Sequence, residues 1–408
     1  MTTASDPNAN ARRNALILSG AQAFGSAVPP IAISMGGLVG LALLGEDKSF
    51  ATLPVTSYNI GVALGALPAA MVMAAIGRRF GFMGGMGVGI CGTLLASFAI
   101  VQGSFWLFAC AMAFIGIGGS FAQQFRFAAA DQGTKEFKPK AISWVLAGGV
   151  FAAIIGTQTA NTFRDLFAPV DFAGAFFAGA FLLVIAIIIL SFLRFEKPLS
   201  RAERNAADTG RALSAIITQP RFMVSVLCAV GSYALMSYVM TGAPLAMKGH
   251  GHSITESTNG VMLHVIAMFA PSFFTGNLIA RFGKERIVAI GLTILIACAA
   301  VALMGVSLMH YYSALILLGL GWNFGFIGAT AMLTDTYEPE EKAKAQGAND
   351  FILFGMVAFG SFMSGTTLNA FGGEGWQAIN WVVFPVALVC LAGLGWLTLV
   401  ERRTGAVS

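Results

Sequence analysis

The few side chains here that could do chemistry stand inside or between long apolar segments. Arg126 follows Gln123-Gln124-Phe125 near the end of one such segment, five residues before Asp131. On a helix that spacing is about 7.5 Å along the axis. Arg126 is therefore expected deeper than the rim, where it can offer a fixed positive charge to an anionic or carbonyl-rich solute. A snorkelling arginine, or one anchored by Asp131, fits the same spacing. His264 lies eight residues into another apolar segment, whereas His250, His252 and His310 fall in the connecting turns. An imidazole titrates near pH ~6.5, so His264 can carry a coupling proton or sit neutral between helices. Two basic turns join apolar segments: Gly77-Arg78-Arg79-Phe80-Gly81, and Arg281-Phe282-Gly283-Lys284-Glu285-Arg286. Asp131 and Asp335 each end an apolar segment 204 positions apart, and Lys140 and Lys344 repeat that interval.

This chemistry is that of binding and moving a solute, not of making or breaking bonds. The sequence holds no HExxH, no GxSxG, no Walker loop and no carboxylate in the middle of an apolar segment. Asp131, Asp335 and Asp350 fall at one set of segment ends, and Asp165, Asp171 and Glu256 at the other. Cys91, Cys110, Cys228, Cys298 and Cys390 all lie within apolar segments without metal-ligand spacing, and read as packing residues. The expectation is a non-enzyme without cofactor or metal, driven by a gradient rather than by bound nucleotide.

The elements that must position these residues are membrane spans. The chain of 408 residues is 57% hydrophobic and only 11% charged, against about 25% charged in soluble domains, and its mean hydropathy is +0.77. The 49 glycines suit close helix contacts in lipid. Twelve segments are long enough to span. They lie near 15–44, 51–76, 80–101, 104–130, 141–167 and 172–195, then 219–247, 256–281, 286–308, 311–335, 345–371 and 377–400. The predicted division is a six-span half at 1–195, a polar linker at 196–218 and a second six-span half at 219–408. No signal-peptide pattern precedes the first span. Of the Lys and Arg residues, 20 fall on the side of the termini and linker and 3 (Lys48, Arg164 and Lys248) on the other, with Arg126 inside a span. The positive-inside rule then places both termini in the cytoplasm. It also explains the +5 net charge without a nucleic-acid partner. Pro29-Pro30 in span 1, and Gly242 with Pro244 in span 7, predict helix breaks at corresponding places in the two halves. They serve either as gates or as fixed kinks.

Two related membrane halves joined by a linker are the plan of a secondary transporter. With the Gly77-Arg78-Arg79 turn after span 2, the chain resembles the major facilitator superfamily over essentially its whole length. The family's turn carries an acidic residue that helps lock the halves together on the cytoplasmic side. Here Ala74 and Ala280 occupy that position. Asp350, at the start of span 11, is the substitute expected to pair with Arg78 or Arg79 in one state, a helix N-terminus being a favourable place for a carboxylate. A solvated arginine turn is the alternative. The family's exporter motif in span 5 has Gly156 but Thr157 in place of its proline, which argues for uptake.

The resemblance implies a central cavity lined by spans 1, 2, 4, 5, 7, 8, 10 and 11. Its candidates are Gln22, Ser26, Tyr58, Asn59, Gln123, Arg126, Gln158, Asn161, Tyr233, Ser237, Tyr238, Thr241, His264, Trp322, Asn323 and Asn349. Gln158 and Asn161, like Tyr233 and Ser237, share a helix face. Amides, hydroxyls and aromatics together suit a planar polar solute, stacked on its faces and bonded at its edges. Arg78, Arg79, Asp131, His264, Asp335 and Asp350 are the coupling and gating candidates. The stretch from Gln123 to Asp131, followed by Pro139-Lys140-Ala141-Ile142-Ser143-Trp144, is similar to a bacterial branch of the superfamily resembling riboflavin importers. That implies riboflavin uptake by a monomer in the inner membrane, with or without a coupled proton. The alternatives are a proton-antiporting exporter of drugs or metabolites and, from another class, a non-transporting membrane sensor.

Overall fold

The computed structural model describes residues 8–44, 50–130, 134, 137–195 and 210–403. These residues are helical almost throughout. The first eight helices are α1 (Ala9–Gly25), α2 (Val28–Leu43), α3 (Leu53–Ile76), α4 (Arg78–Val101), α5 (Phe105–Ala122), α6 (Phe125–Ala130), α7 (Lys138–Phe163) and α8 (Ala173–Leu190). The remainder are α9 (Leu213–Ile217), α10 (Pro220–Gly249), α11 (Ile254–Phe269), α12 (Ser272–Phe282), α13 (Lys284–Met304), α14 (Leu308–Leu333), α15 (Lys342–Phe371) and α16 (Gly375–Arg403).

Three expected spans are each built from two helices. Span 1 breaks at Ser26–Ala27, because Pro29 and Pro30 offer no N–H to the carbonyls one turn before them. Span 4 breaks at Gln123–Gln124 without a proline: Gln124 N–H turns back to Phe121 O at 3.1 Å, tightening the last turn of α5. Span 8 breaks before Pro271, where α11 and α12 meet at 42°. Span 7 departs from expectation, since α10 runs unbroken through Gly242 and Pro244. The two proline sites therefore differ, the second lying late in a 30-residue helix. The final apolar stretch, Lys344–Arg402, is 59 residues, or about 88 Å if helical, far beyond a ~30 Å hydrocarbon core. It holds two helices, α15 and α16, joined by a short 3₁₀ turn at Gly372–Glu374. Counting the bent pair as one span, the described residues form the twelve-span all-α fold.

The helices form two compact units. The first comprises residues up to 198 together with Ile254–Phe273, and the second comprises residues 199–253 and 274–408. By packing, α11 thus goes with the first unit, whereas the expected halves divide at the linker. In the first unit α3 and α5 touch backbone to backbone: a Cβ at Gly61 would strike Ala113 O, and one at Gly116 would strike Tyr58 O. In the second unit α13 and α14 meet in the same way at Gly291 and Gly325. The basic turns repeat in their backbone as well. Gly77 has φ 88° and ψ 158°, and Gly283 has φ 89° and ψ 155°, a conformation open to glycine alone.

Candidate functional site

The first unit gathers its candidate polar groups at two places. Around the breaks in spans 1 and 4, Gln22 is buried one turn before Ser26, and Gln123 is half-buried where α5 ends. Arg126 follows in α6, half-buried, its guanidinium 4.8 Å from the ring centroid of Phe127. Tyr58 is buried on α3 with Asn59 half-buried beside it, and the Tyr58 hydroxyl points to Gly119 of α5. Discontinuous helices supply such sites in transporters because the interrupted backbone leaves polar groups for a solute.

The second place is the antiparallel contact of α7 with α11. Arg164 Nη1 donates to Thr255 Oγ1 at 3.5 Å, Asn161 Nδ2 to Asn259 Oδ1 at 3.5 Å, and Gln158 Nε2 approaches Met262 Sδ at 3.8 Å. Three successive turns of α7 therefore carry weak polar contacts to α11. His264 is on that helix, 1% exposed. Thr157, standing where the exporter motif has proline, returns its hydroxyl to Ala153 O at 2.7 Å and α7 passes without interruption.

In the second unit the structure brings two of the candidates, Tyr233 and Trp322, together. Their rings meet edge to face at 5.3 Å, and Phe326 and Phe354 complete an aromatic cluster that sequence reasoning missed. Ser237, Tyr238 and Thr241 face α15 instead: Ser237 Oγ donates to Val357 O (3.3 Å), Tyr238 OH meets Thr367 Oγ1 (2.8 Å) and Thr241 meets Ser361 (3.1 Å). They form a hydroxyl seam between two parallel helices. Asn323 is fully buried and accepts from Thr275 Oγ1 at 2.6 Å, fastening α12 to α14. Asn349 donates to Asp350 Oδ1 at 3.0 Å.

Of the gating candidates, Arg78 and Arg79 are half-buried, with Arg79 5.5 Å from the ring of Phe80. Asp131 lies outside the described residues. Asp335 belongs to a charge hub that the sequence did not disclose. Arg221, at the start of α10, reaches Glu285 Oε1 (2.6 Å), Asp335 Oδ2 (3.0 Å) and Glu401 Oε1 (2.6 Å), while Lys284 Nζ meets Asp335 Oδ1 (2.5 Å). A second clamp ties the chain entering the unit to the turn between α14 and α15. Arg211 gives Glu341 its backbone N–H (2.7 Å), its Nε (2.8 Å) and its Nη2 (2.7 Å), and Glu338 N–H adds a fourth bond at 3.0 Å. Bonding from the Arg211 side chain, then from the Glu338 backbone, holds the Glu341 carboxyl down at about 2, and Arg211 is raised in return. Behind the clamp Ile216 of α9 is buried against Phe222, Val226, Leu333 and Ala345. The signal for both clusters was a set of acids at span ends, but partners 64 to 180 residues apart have no sequence spacing to betray them. Among the described residues no cluster of His, Cys, Asp or Glu is arranged to hold a metal.

Comparison with known proteins places these features in context. The family model described as Major Facilitator Superfamily matches residues 14–361 and 272–408. The chain is 50% identical over 385 residues to a protein of Brucella anthropi named riboflavin transporter RfnT, covering 94% of this chain and 95% of that one. It is 31% identical to the uncharacterized MFS-type transporter YddS of Bacillus subtilis, over 86% of this chain and 83% of the relative. Among solved structures, the nucleoside transporter NupG superposes with a TM-score of 0.67 at 15% identity, covering 94% of this chain and 99% of that one. That last likeness speaks for the fold.

Proposed function

The chain belongs to the major facilitator superfamily, a family of secondary transporters, and we propose that it takes up riboflavin by alternating access. The observation that carries the solute is the 50% identity with a riboflavin transporter along nearly the full length of both chains. The side chains suit it. Flat aromatics, amides and hydroxyls serve a neutral planar ring system with polar edges, and Arg126 beside the span 4 break can meet a ring carbonyl. We assign solute contact to Gln22, Tyr58, Asn59, Gln123 and Arg126, with Gln158, Asn161, Tyr233, Ser237, Tyr238, His264, Trp322 and Asn323 as the wider set. In this reading the protein works as a monomer in a bacterial inner membrane with both termini in the cytoplasm, and His264 is the group assigned to a coupled proton.

Counterflow of labelled riboflavin in proteoliposomes tests the function. Saturable exchange that Gln123→Ala or Arg126→Ala removes is the expected result. Absence of exchange by folded, inserted protein rejects the flavin assignment. Gating is assigned to Arg78, Arg79, Asp131, Asp335 and Asp350. Its test is charge reversal at Asp350, which should abolish exchange and be rescued by reversal at Arg79; no rescue rejects the pair.

A further inference from the structure

We propose that Trp322 is a specificity-determining donor. Its indole Nε1–H takes a ring carbonyl of a flat, imide-bearing heteroaromatic solute, and Ser232 Oγ accepts the adjacent imide N–H. The inference rests on the transport function proposed above and names the part of the solute that the second unit reads.

The indole plane is fixed by its neighbours. Trp322 stacks on Phe326 with centroids 5.1 Å apart and planes at 23°, and the edge of Tyr233 meets it at 5.3 Å and 82°. Tyr233 in turn lies 5.1 Å from Phe326 and 6.1 Å from Phe354. Trp322 is 5% exposed, and its Nε1–H, which can only donate, has no acceptor among the described residues. The adjacent amide oxygen, on Asn323, already accepts from Thr275 at 2.6 Å. A buried N–H left without a partner in a membrane span is costly, so such groups mark places where something else supplies the bond.

A second such atom lies in the same contact of α10 with α14. Ser232 is fully buried, and its Oγ also has no partner among the described residues. It sits directly against Gly325, one turn along α14 from Trp322, where an added Cβ would collide with the hydroxyl. Serines on a helix usually return the hydroxyl to a carbonyl one turn back. Ser225, two turns earlier on α10, does so to Arg221 O at 2.7 Å, but Ser232 does not. A donor-only indole and a hydroxyl thus fall within one turn of α14, beside the rings of Tyr233, Phe326 and Phe354, with neither carrying charge. Their complement is a neutral ring edge offering C=O and N–H side by side. The pyrimidinedione edge of a flavin has that order of groups, and the rest of its flat ring system suits the aromatic faces.

The test uses the full-length protein in nanodiscs, with flavin fluorescence reporting binding of riboflavin, of its N3-methyl derivative and of lumichrome, which keeps the ring system without the ribityl chain. Trp322→Phe keeps a flat ring and removes the N–H. It should raise the riboflavin Kd about tenfold, the effect of one buried hydrogen bond, while Trp106→Phe, at a 68% exposed position, leaves it unchanged. The parent should prefer riboflavin to the N3-methyl compound, and Ser232→Ala should erase that preference. An unaltered Kd in folded Trp322→Phe overturns the proposal and assigns the indole N–H to bound water. If Trp322→Phe does not fold, the preference in Ser232→Ala decides, and an intact preference overturns the proposal. If the parent binds no riboflavin, the flavin assignment falls, and lumichrome and uracil decide this one. A flat imide bound with the same loss in Trp322→Phe upholds the proposal, and no flat imide bound by the parent overturns it as well.

Discussion

In the first unit, Asn14 near the start of α1 exchanges two hydrogen bonds with the backbone of Arg194, donating to its carbonyl at 2.6 Å and accepting its N–H at 3.2 Å. In the second unit, 207 positions later in both partners, Arg221 forms an ion pair with Glu401 at 2.6 Å. The same two places, the start of the first helix and the end of the last, are joined by a neutral amide in one unit and by opposite charges in the other. The turns differ in the same sense. Gly77 and Gly283 share one backbone conformation, but Arg79 stands where the second unit has Glu285. The backbone of the repeat is held by geometry that only glycine meets, whereas the side chains that close each unit answer to their surroundings. Asn14 is 1% exposed, a burial that an amide tolerates once both its polar atoms are bonded. The hub residues are 16–38% exposed, where charges keep part of their hydration and a network of pairs can contribute.

The largest effect should come from breaking the charged closure. Arg221→Ala takes their shared cation from Glu285, Asp335 and Glu401, while Lys284 still pairs with Asp335. A loss of about 2–3 kcal/mol is expected once partial exposure is allowed for. It should shrink as salt is raised from low to about 0.5 M. Asn14→Ala should cost about 1–2 kcal/mol for two backbone bonds and respond little to salt. Thermal unfolding of both variants across an ionic-strength series checks the contrast. Equal salt sensitivity would erase the distinction between the closures, and a larger loss at Asn14 would reverse it.

How much of this was legible in sequence follows from the range of each interaction. A span needs only a local apolar run, so the twelve segments were visible, and their ends moved by a few residues because polar caps extend helices past the apolar stretch, as at Ala9–Gly25. Proline marked the break in span 1. In span 7, Pro244 sits inside an unbroken helix, while the bend falls at Pro271 of span 8. The break at Gln123–Gln124 has neither proline nor glycine at the turn itself and left no signal. Tyr233 and Trp322 stood out in sequence as separate cavity candidates, but nothing there paired them, and Phe326 and Phe354 were indistinguishable from the many phenylalanines that face lipid. Arg221 in its hub and Arg211 in its clamp reach partners 64 to 180 positions away. Such pairings belong to the packed fold and not to any local pattern.

The clamp gives the smallest effect at neutral pH and the sharpest distinction between the units in acid. Glu341 has its carboxyl pulled from the usual 4.5 to about 2 by Arg211. A carboxylate depressed on folding contributes stability that is fully present above its unfolded value, and that contribution is lost as pH falls through the folded one. The window is therefore pH ~4.5 down to ~2. The amide pair of Asn14 does not titrate and contributes nothing to that slope. Glu341→Gln should thus flatten the acid limb of the unfolding profile between pH 4.5 and 2 relative to the parent, while Asn14→Ala lowers the whole profile in parallel. Following the melting temperature of the parent and both variants from pH 7 to pH 3 reads this directly. If Glu341→Gln keeps the parental acid slope, the bonds from Arg211 are not what holds the carboxyl down, and the clamp loses its place as the electrostatic counterpart of the neutral closure.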